Sequence, residues 1–246
     1  MGEGPGAGSV TSGVLRVRRG DVAEVLALGE GAVACFEGVT PWRAFGWRRG
    51  QAHYPGLYWS AVMGGHVGYE SRLELAWLLL ADRDQRIRRI YSQPFQLEAR
   101  VAGRLCRHVP DYLAVRDDGL VTVVDVKPRR RLADPGVVFT FGWARVLAGA
   151  QGWGFDVFSE PPPAVLANAG FLAGYRRAWQ FAPGLLDAIA GLACPAASFA
   201  ELDQAAAVLA GDRARGRAHL LHLIWAGRLR ADLERPLSES VVLVAA

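Results

Sequence analysis

The chain has 246 residues, 51% apolar and 21% charged, with a net charge of +4. That composition describes one or two globular domains with cores of ordinary size and excludes a disordered chain, while the small, dispersed positive excess permits a polyanionic partner without demanding one. Three cysteines, Cys35, Cys106 and Cys194, are too few and too scattered for a disulfide framework or a paired zinc site, which points to a reducing compartment.

Residues 1–65 read as an N-terminal extension. The run from Met1 to Gly8 has neither the basic nor the apolar region of a signal peptide, and no apolar run approaches membrane-spanning length. The expectation is a flexible tail on a cytoplasmic protein with no membrane partner. Val14 to Glu37 shows no clean period, so its structure stays open. Trp42, Arg43, Phe45, Trp47, Arg48, Arg49, His53, Tyr54, Tyr58 and Trp59 then interleave aromatics with cations. Such a stretch can stack on bases and track phosphates, or form a small satellite core with solvated arginines. Gly64, Gly65 and Gly68 mark a break.

Residues 66–160 carry the chemistry. From Tyr69 to Ala81, Leu73, Ala76, Trp77 and Leu80, with Leu75, Leu78 and Leu79, predict a largely buried helix. Glu70 and Glu74 lie one turn apart on one face of it. A carboxylate among leucines is costly unless it is paired or holds a cation. The plain alternative, stronger for Glu70, is exposure at the helix N-terminus, where the macrodipole favours anions.

The runs Tyr91–Val101 and Leu105–Val115, separated by Ala102 and Gly103, and then Val121–Val126 after a turn at Asp117, Asp118 and Gly119, predict an antiparallel meander. Val121–Val126 is apolar on both faces except at Thr122 and Asp125, as a central strand should be. A three-residue turn with Gly119 left-handed would set Asp111 directly opposite Asp125 on one face; a two-residue turn would put them on opposite faces. Like charges opposed across a ladder destabilise it, so the first register asks for a cation. Asp111, Asp125 and the Val126 carbonyl, completed by water and phosphate, suit Mg2+, with Mn2+ as substitute, and do not suit zinc. Glu74 would reach the cation as a ligand or through a water. Gln93 is a candidate to hold a water or a phosphate, or equally to make an edge-strand hydrogen bond. Arg129, Arg130 and Arg131 follow the strand as candidate DNA contacts.

Lys127 is the only lysine among 28 basic residues, and it points to the same face as Asp125. An ammonium is a compact charge whose pKa shifts readily, whereas guanidinium stays protonated and planar, so lysine can orient an attacking water or take its proton. The alternative is a chance survivor on a solvated strand end.

Ser71, Glu74 and Leu75 on a helix, then Gln93-Pro94-Phe95, Pro110-Asp111-Tyr112-Leu113 and Asp125-Val126-Lys127-Pro128, occur in this order across about residues 69–159. In these elements the chain resembles the TnsA-like endonuclease subunit of heteromeric transposases, part of the restriction-endonuclease-like PD-(D/E)XK superfamily. The resemblance implies an α/β restriction-endonuclease-like core, a mixed sheet flanked by helices. It makes Glu74, Asp111 and Asp125 an acidic triad with Lys127 as catalytic lysine, in a nuclease that cuts the strand its partner transposase leaves uncut. The best-known members carry glutamine at the position of Asp125, where the wider superfamily prefers aspartate.

A helix over 135–149, a strand over 154–158 and a helix after Pro161, Pro162 and Pro163 would complete that core and lead through a linker region, 161–194. In 195–246, Ser198 to Glu201 is a capping box for a helix to Ala210, and Arg213–Ala226 reads as a second helix stopped by Gly227. Short strands at 228–233 and 240–244 finish the outline of a winged helix. Its second helix carries Arg213, Arg215, Arg217, His219 and His222, yet six arginines are balanced by six carboxylates in this segment. The resemblance links such a domain to docking on other transposition proteins, including an ATPase regulator. His219 and His222 lack a third metal ligand, which favours a core or surface role. No Gly-x-x-x-x-Gly-Lys loop and no Gly-x-Ser-x-Gly elbow occurs. The competing readings are a non-catalytic DNA-binding or scaffold protein on the same fold and a stand-alone restriction or repair nuclease.

Overall fold

The computed structural model describes residues 10–27, 29, 33–43, 54–193 and 196–246. The expected N-terminal tail, Phe45, Trp47, Arg48, Arg49 and His53 of the aromatic stretch, and Cys194 lie outside the described residues. The fold is mixed α/β and divides into two compact units, residues 1–77 with 86–160 and residues 78–85 with 161–246. No helix among the described residues is long and apolar enough to cross a membrane.

In chain order the first unit contains β1 (Val10–Arg19), β2 (Val22–Ala27), β3 (Gly56–Ser60), β4 (Gly65–Tyr69), the start of α1 (Arg72–Arg83), β5 (Ile87–Ser92), β6 (Gln96–Val101), β7 (Arg104–His108), β8 (Tyr112–Arg116), β9 (Val121–Val126), α2 (Pro135–Ala150) and β10 (Gly154–Phe158). One sheet runs β2-β1-β6-β7, a second runs β10-β9-β8-β5, and β3 and β4 form a hairpin. Residues 10–43 are therefore not an extension set apart from 66–160. Leu15, Val17 and Phe36 are fully buried in one core with Phe95, Leu97, Leu113, Val123, Trp143 and Leu147. The Phe36, Phe95 and Trp153 rings lie within 5.6 to 5.8 Å of one another.

The expected continuous meander is divided between the two sheets. β5 pairs with β8, while the β6–β7 hairpin between them pairs with β1. The break falls at Gln93, whose φ is 44°, followed by Pro94. A left-handed residue and then one without an N–H cannot continue a ladder. Val109 and Pro110 make the corresponding break on the return. Helix α1 starts three residues later than expected because Tyr69 closes the β3–β4 hairpin by pairing with Gly56.

Turn chemistry fixes the register that matters. Tyr112 pairs with Val124, Leu113 with Val123 and Val115 with Val121. Gly119 has a φ of 81°, and Arg116 N–H donates to the Leu120 carbonyl at 2.9 Å. This is the three-residue turn with a left-handed glycine. β9 lies between β8 and the parallel β10, which α2 connects, and five of its six residues are buried. A run of valines with two covered faces is what a central strand requires.

The second unit contains α3 (Pro163–Leu172), α4 (Pro183–Gly191), β11 (Ala196–Ser198), α5 (Phe199–Ala210), α6 (Arg213–Trp225), β12 (Leu229–Arg230) and β13 (Val242–Ala245). Ser198 and Glu201 form the expected capping box, and Gly227, with φ 67°, follows the end of α6. The strands form a small sheet in the order β11-β13-β12. Residues 161–193 belong to this unit: Leu172, Ile189, Phe199, Leu220, Ile224, Trp225 and Leu243 share one core. Triple proline therefore leads into the expected helix, with Pro163 at its first position, but that helix belongs to the second unit and does not complete the first core.

Candidate metal centre

The helix start places Glu74. Ser71 Oγ accepts from Glu74 N–H at 3.1 Å and donates to Glu74 Oε1 at 2.8 Å, while Glu74 Oε2 accepts from Glu70 N–H at 2.8 Å. The carboxylate thus closes a capping arrangement and is still buried, at 9% exposure. Glu74 is therefore at the helix terminus, as the plain alternative had it, but buried and not exposed. Trp77 holds the helix to the sheet by stacking on Tyr112 at 4.3 Å, and the Tyr112 hydroxyl donates to the Gly68 carbonyl. Glu70 is instead on the surface side, paired with Arg43 at 3.3 Å.

Asp111 sits immediately before β8, with its carboxyl turned inward: Oδ2 accepts from Val126 N–H at 2.7 Å. Continuing the register places Pro110 opposite Val126. Proline has no N–H, so no ladder bond from that position competes for the Val126 carbonyl, and the Val126 amide takes the aspartate in its place. The Pro-Asp pair thereby opens the end of a ladder beside a carboxylate. Gln93 secures this end: its N–H donates to the Asp111 carbonyl at 2.8 Å, its carbonyl accepts from Trp42 N–H at 2.9 Å, and its Oε1 accepts from Arg43 N–H at 3.1 Å. At 2% exposure it has almost no surface to offer a phosphate.

Burial pushes the Asp111 carboxyl up to about 8 from an ordinary 3.8, and the charges of Asp125 and then Glu74 add to the rise. The Val126 N–H and the Lys127 ammonium oppose it. Asp125, Glu74 and Lys127 thus lie within electrostatic reach of Asp111. Asp125 is itself 2% exposed on the central strand. Lys127 is anchored through its backbone, N–H to the Phe158 carbonyl at 2.9 Å and carbonyl from Ser159 Oγ at 2.7 Å. Among the described residues no ion pair engages its ammonium.

Among the described residues no group of three or more Asp, Glu, His or Cys side chains is arranged to hold a metal ion. Glu74 is committed to the helix start, which leaves two aspartates and the Val126 carbonyl as donors. Magnesium characteristically takes one or two carboxylates and completes its shell with water and substrate phosphates. Crowded buried anions, one carrying a proton-binding tendency far above normal, are what a divalent cation would relieve, so the oxygen donors present fit such an ion.

Sequence reading missed His108. Its Nε2 lies 2.9 and 2.8 Å from Asp125 Oδ1 and Oδ2. The contact joins the last residue of β7 in one sheet to β9 in the other, and no local pattern signals such a crossing. Of the three candidate arginines, Arg129 binds the Glu160 carbonyl and Arg131 pairs with Asp134 at 3.0 Å. Arg130 is exposed on the same 3-10 turn, Arg129–Arg131.

On α6 the cations divide: Arg213 and Arg215 are exposed, while Arg217 is half-buried. Arg217 makes a two-pronged pair with buried Asp203 at 2.8 and 2.6 Å, and Arg213 joins it at 3.5 Å. His219 and His222 are core residues: His222 stacks on Phe181 at 4.3 Å, and His219 Nε2 accepts from Ala182 N–H. No family model matches the chain, and no curated protein matches it.

Proposed function

We propose that the protein is a magnesium-dependent DNA endonuclease with a restriction-endonuclease-like core and a winged-helix-like second unit, acting as the nuclease subunit of a heteromeric transposase. The observation that carries the reading is the β8–β9 register, which sets Asp111 opposite Asp125, with the charges of Glu74 and Lys127 in electrostatic reach of Asp111. The capped helices α5 and α6, with β11 before them and β12 and β13 after them in the sheet order β11-β13-β12, support the winged-helix description. Double-stranded DNA would be the substrate, with an integrase-like transposase as partner and an ATPase regulator docking on the second unit. The engagement of Arg217 and Arg213 by Asp203 supports docking over base reading there.

Asp111, Asp125 and the Val126 carbonyl would hold the cation. Bound there, Mg2+ supplies polarisation of the scissile phosphate and charge for the developing oxyanion. The Lys127 ammonium, on the same face of β9 as Asp125, orients the attacking water in line with the leaving oxygen. Glu74 fixes the helix start beside it, and Arg130 offers a charge to the neighbouring backbone phosphate.

A manganese-soaked crystal tests this directly: an anomalous peak between Asp111 and Asp125, together with Mn2+-dependent cleavage of end-bearing duplex with the partner transposase, is expected. Absence of both defeats the reading. Glu74's commitment to the helix start and the lack, among the described residues, of a three-side-chain metal group favour, as second reading, a non-catalytic DNA-binding or scaffold protein on the same fold.

A further inference from the structure

His108 adds a member to the centre, on an argument that rests on the endonuclease reading above. Its Nε2 stands between both oxygens of Asp125, at 2.9 and 2.8 Å. A carboxylate only accepts hydrogen bonds, so Nε2 carries the proton and donates across the pair. Keeping both contacts allows one orientation of the carboxylate about its Cβ–Cγ bond.

The donor is itself fixed. The backbone of His108 is set by pairing with Leu97 at the end of the β6–β7 ladder. Its ring packs edge-on against Phe141 and Trp143, with centroids 6.5 and 6.2 Å away, and Trp143 is 1% exposed. A rigid donor from one sheet therefore orients a rigid strand's carboxylate in the other.

A purely stabilising role explains this poorly, because a hydrogen-bonded buried polar pair gains little net stability over apolar groups of the same shape. A carboxylate offers about four lone-pair sites, and one shared donor leaves the outer ones for a cation. Hydrogen bonds that orient ligating groups from behind typically change metal affinity about 10- to 100-fold. We infer that His108 is a positioning residue, holding Asp125 in the orientation that receives the divalent cation.

The test is Mn2+ binding to the full chain, read from the free-ion signal in electron paramagnetic resonance, beside melting in chelator. His108→Ala is expected to weaken binding by about 10- to 100-fold. His108→Gln, whose amide nitrogen can stand near the place of Nε2, should regain most of it, with both variants melting alike in chelator. Should His108→Ala not fold, His108→Asn, too short to reach Asp125, takes its place. Wild-type affinity in the short variant, or equal loss in the glutamine variant, overturns the inference and leaves the metal centre standing. A wild-type protein that binds no Mn2+ better than Asp111→Asn does would remove the metal centre itself, and the inference with it.

Discussion

Replacing Asp111 by asparagine should stabilise the metal-free protein, and increasingly so as pH rises. The folded state raises the Asp111 carboxyl from 3.8 to about 8, so between those values the native protein holds a proton that the unfolded chain releases. Stability linked to this group is fully present below 3.8 and is lost as pH rises through about 8. At about 1.4 kcal/mol per pH unit, the interval corresponds to a penalty of roughly 6 kcal/mol at pH 9, an upper figure because neighbouring acids and water can adjust. Asparagine keeps an oxygen for the Val126 N–H and carries no charge to bury. A gain of about 2–5 kcal/mol at pH 9, shrinking towards zero near pH 4, is expected from urea denaturation in chelator. Manganese should offset much of that gain, since it stabilises only the chain that binds it; at a hundredfold excess over Kd that is about 2.7 kcal/mol. Parallel stability curves for the two proteins from pH 4 to pH 9 would refute the electrostatic account of the site.

Lys127→Ala and Lys127→Arg should each abolish cleavage while leaving duplex binding intact; equal cutting by Lys127→Ala and wild type, in a reconstituted end-cleavage assay, would end the catalytic role of the lysine. His222 behaves oppositely to Asp111: burial lowers its pKa from 6.5, so its contribution is full above that value and is lost as pH falls below it. His222→Asn should flatten acid destabilisation of the chain below pH 6.5, measurable by melting temperature against pH. On α6, a Cβ at Gly216 would come within 2.5 Å of the Ala206 backbone, so Gly216→Ala should lower stability despite its better helix propensity. Overpacking of this kind costs about 1–3 kcal/mol, readable as a shifted urea midpoint with unchanged slope.

Much of the centre was legible because its geometry is local. A three-residue turn with a left-handed glycine sets the β8–β9 register, alternation along β9 then puts Lys127 with Asp125, and Pro110 followed by Asp111 announces an opened ladder end. Ser198 with Glu201 and the stop at Gly227 belong to the same class of short-range chemistry. Such features depend on a few adjacent residues, and those residues are all that a sequence displays.

Pairing between distant segments has no such local carrier. Alternating strands from Tyr91 to Val126 are equally compatible with a meander and with two sheets; a left-handed Gln93 and two prolines break the ladder, and β1, some eighty residues away, supplies the missing partner for β6. The same long-range choice folds residues 10–43 into the first core and delivers His108 to Asp125 across sheets. Turn and cap chemistry is settled within a few residues, whereas the partner of a strand edge, and hence the hydrogen bond behind a buried carboxylate, is settled by which distant surfaces bury the most apolar area together.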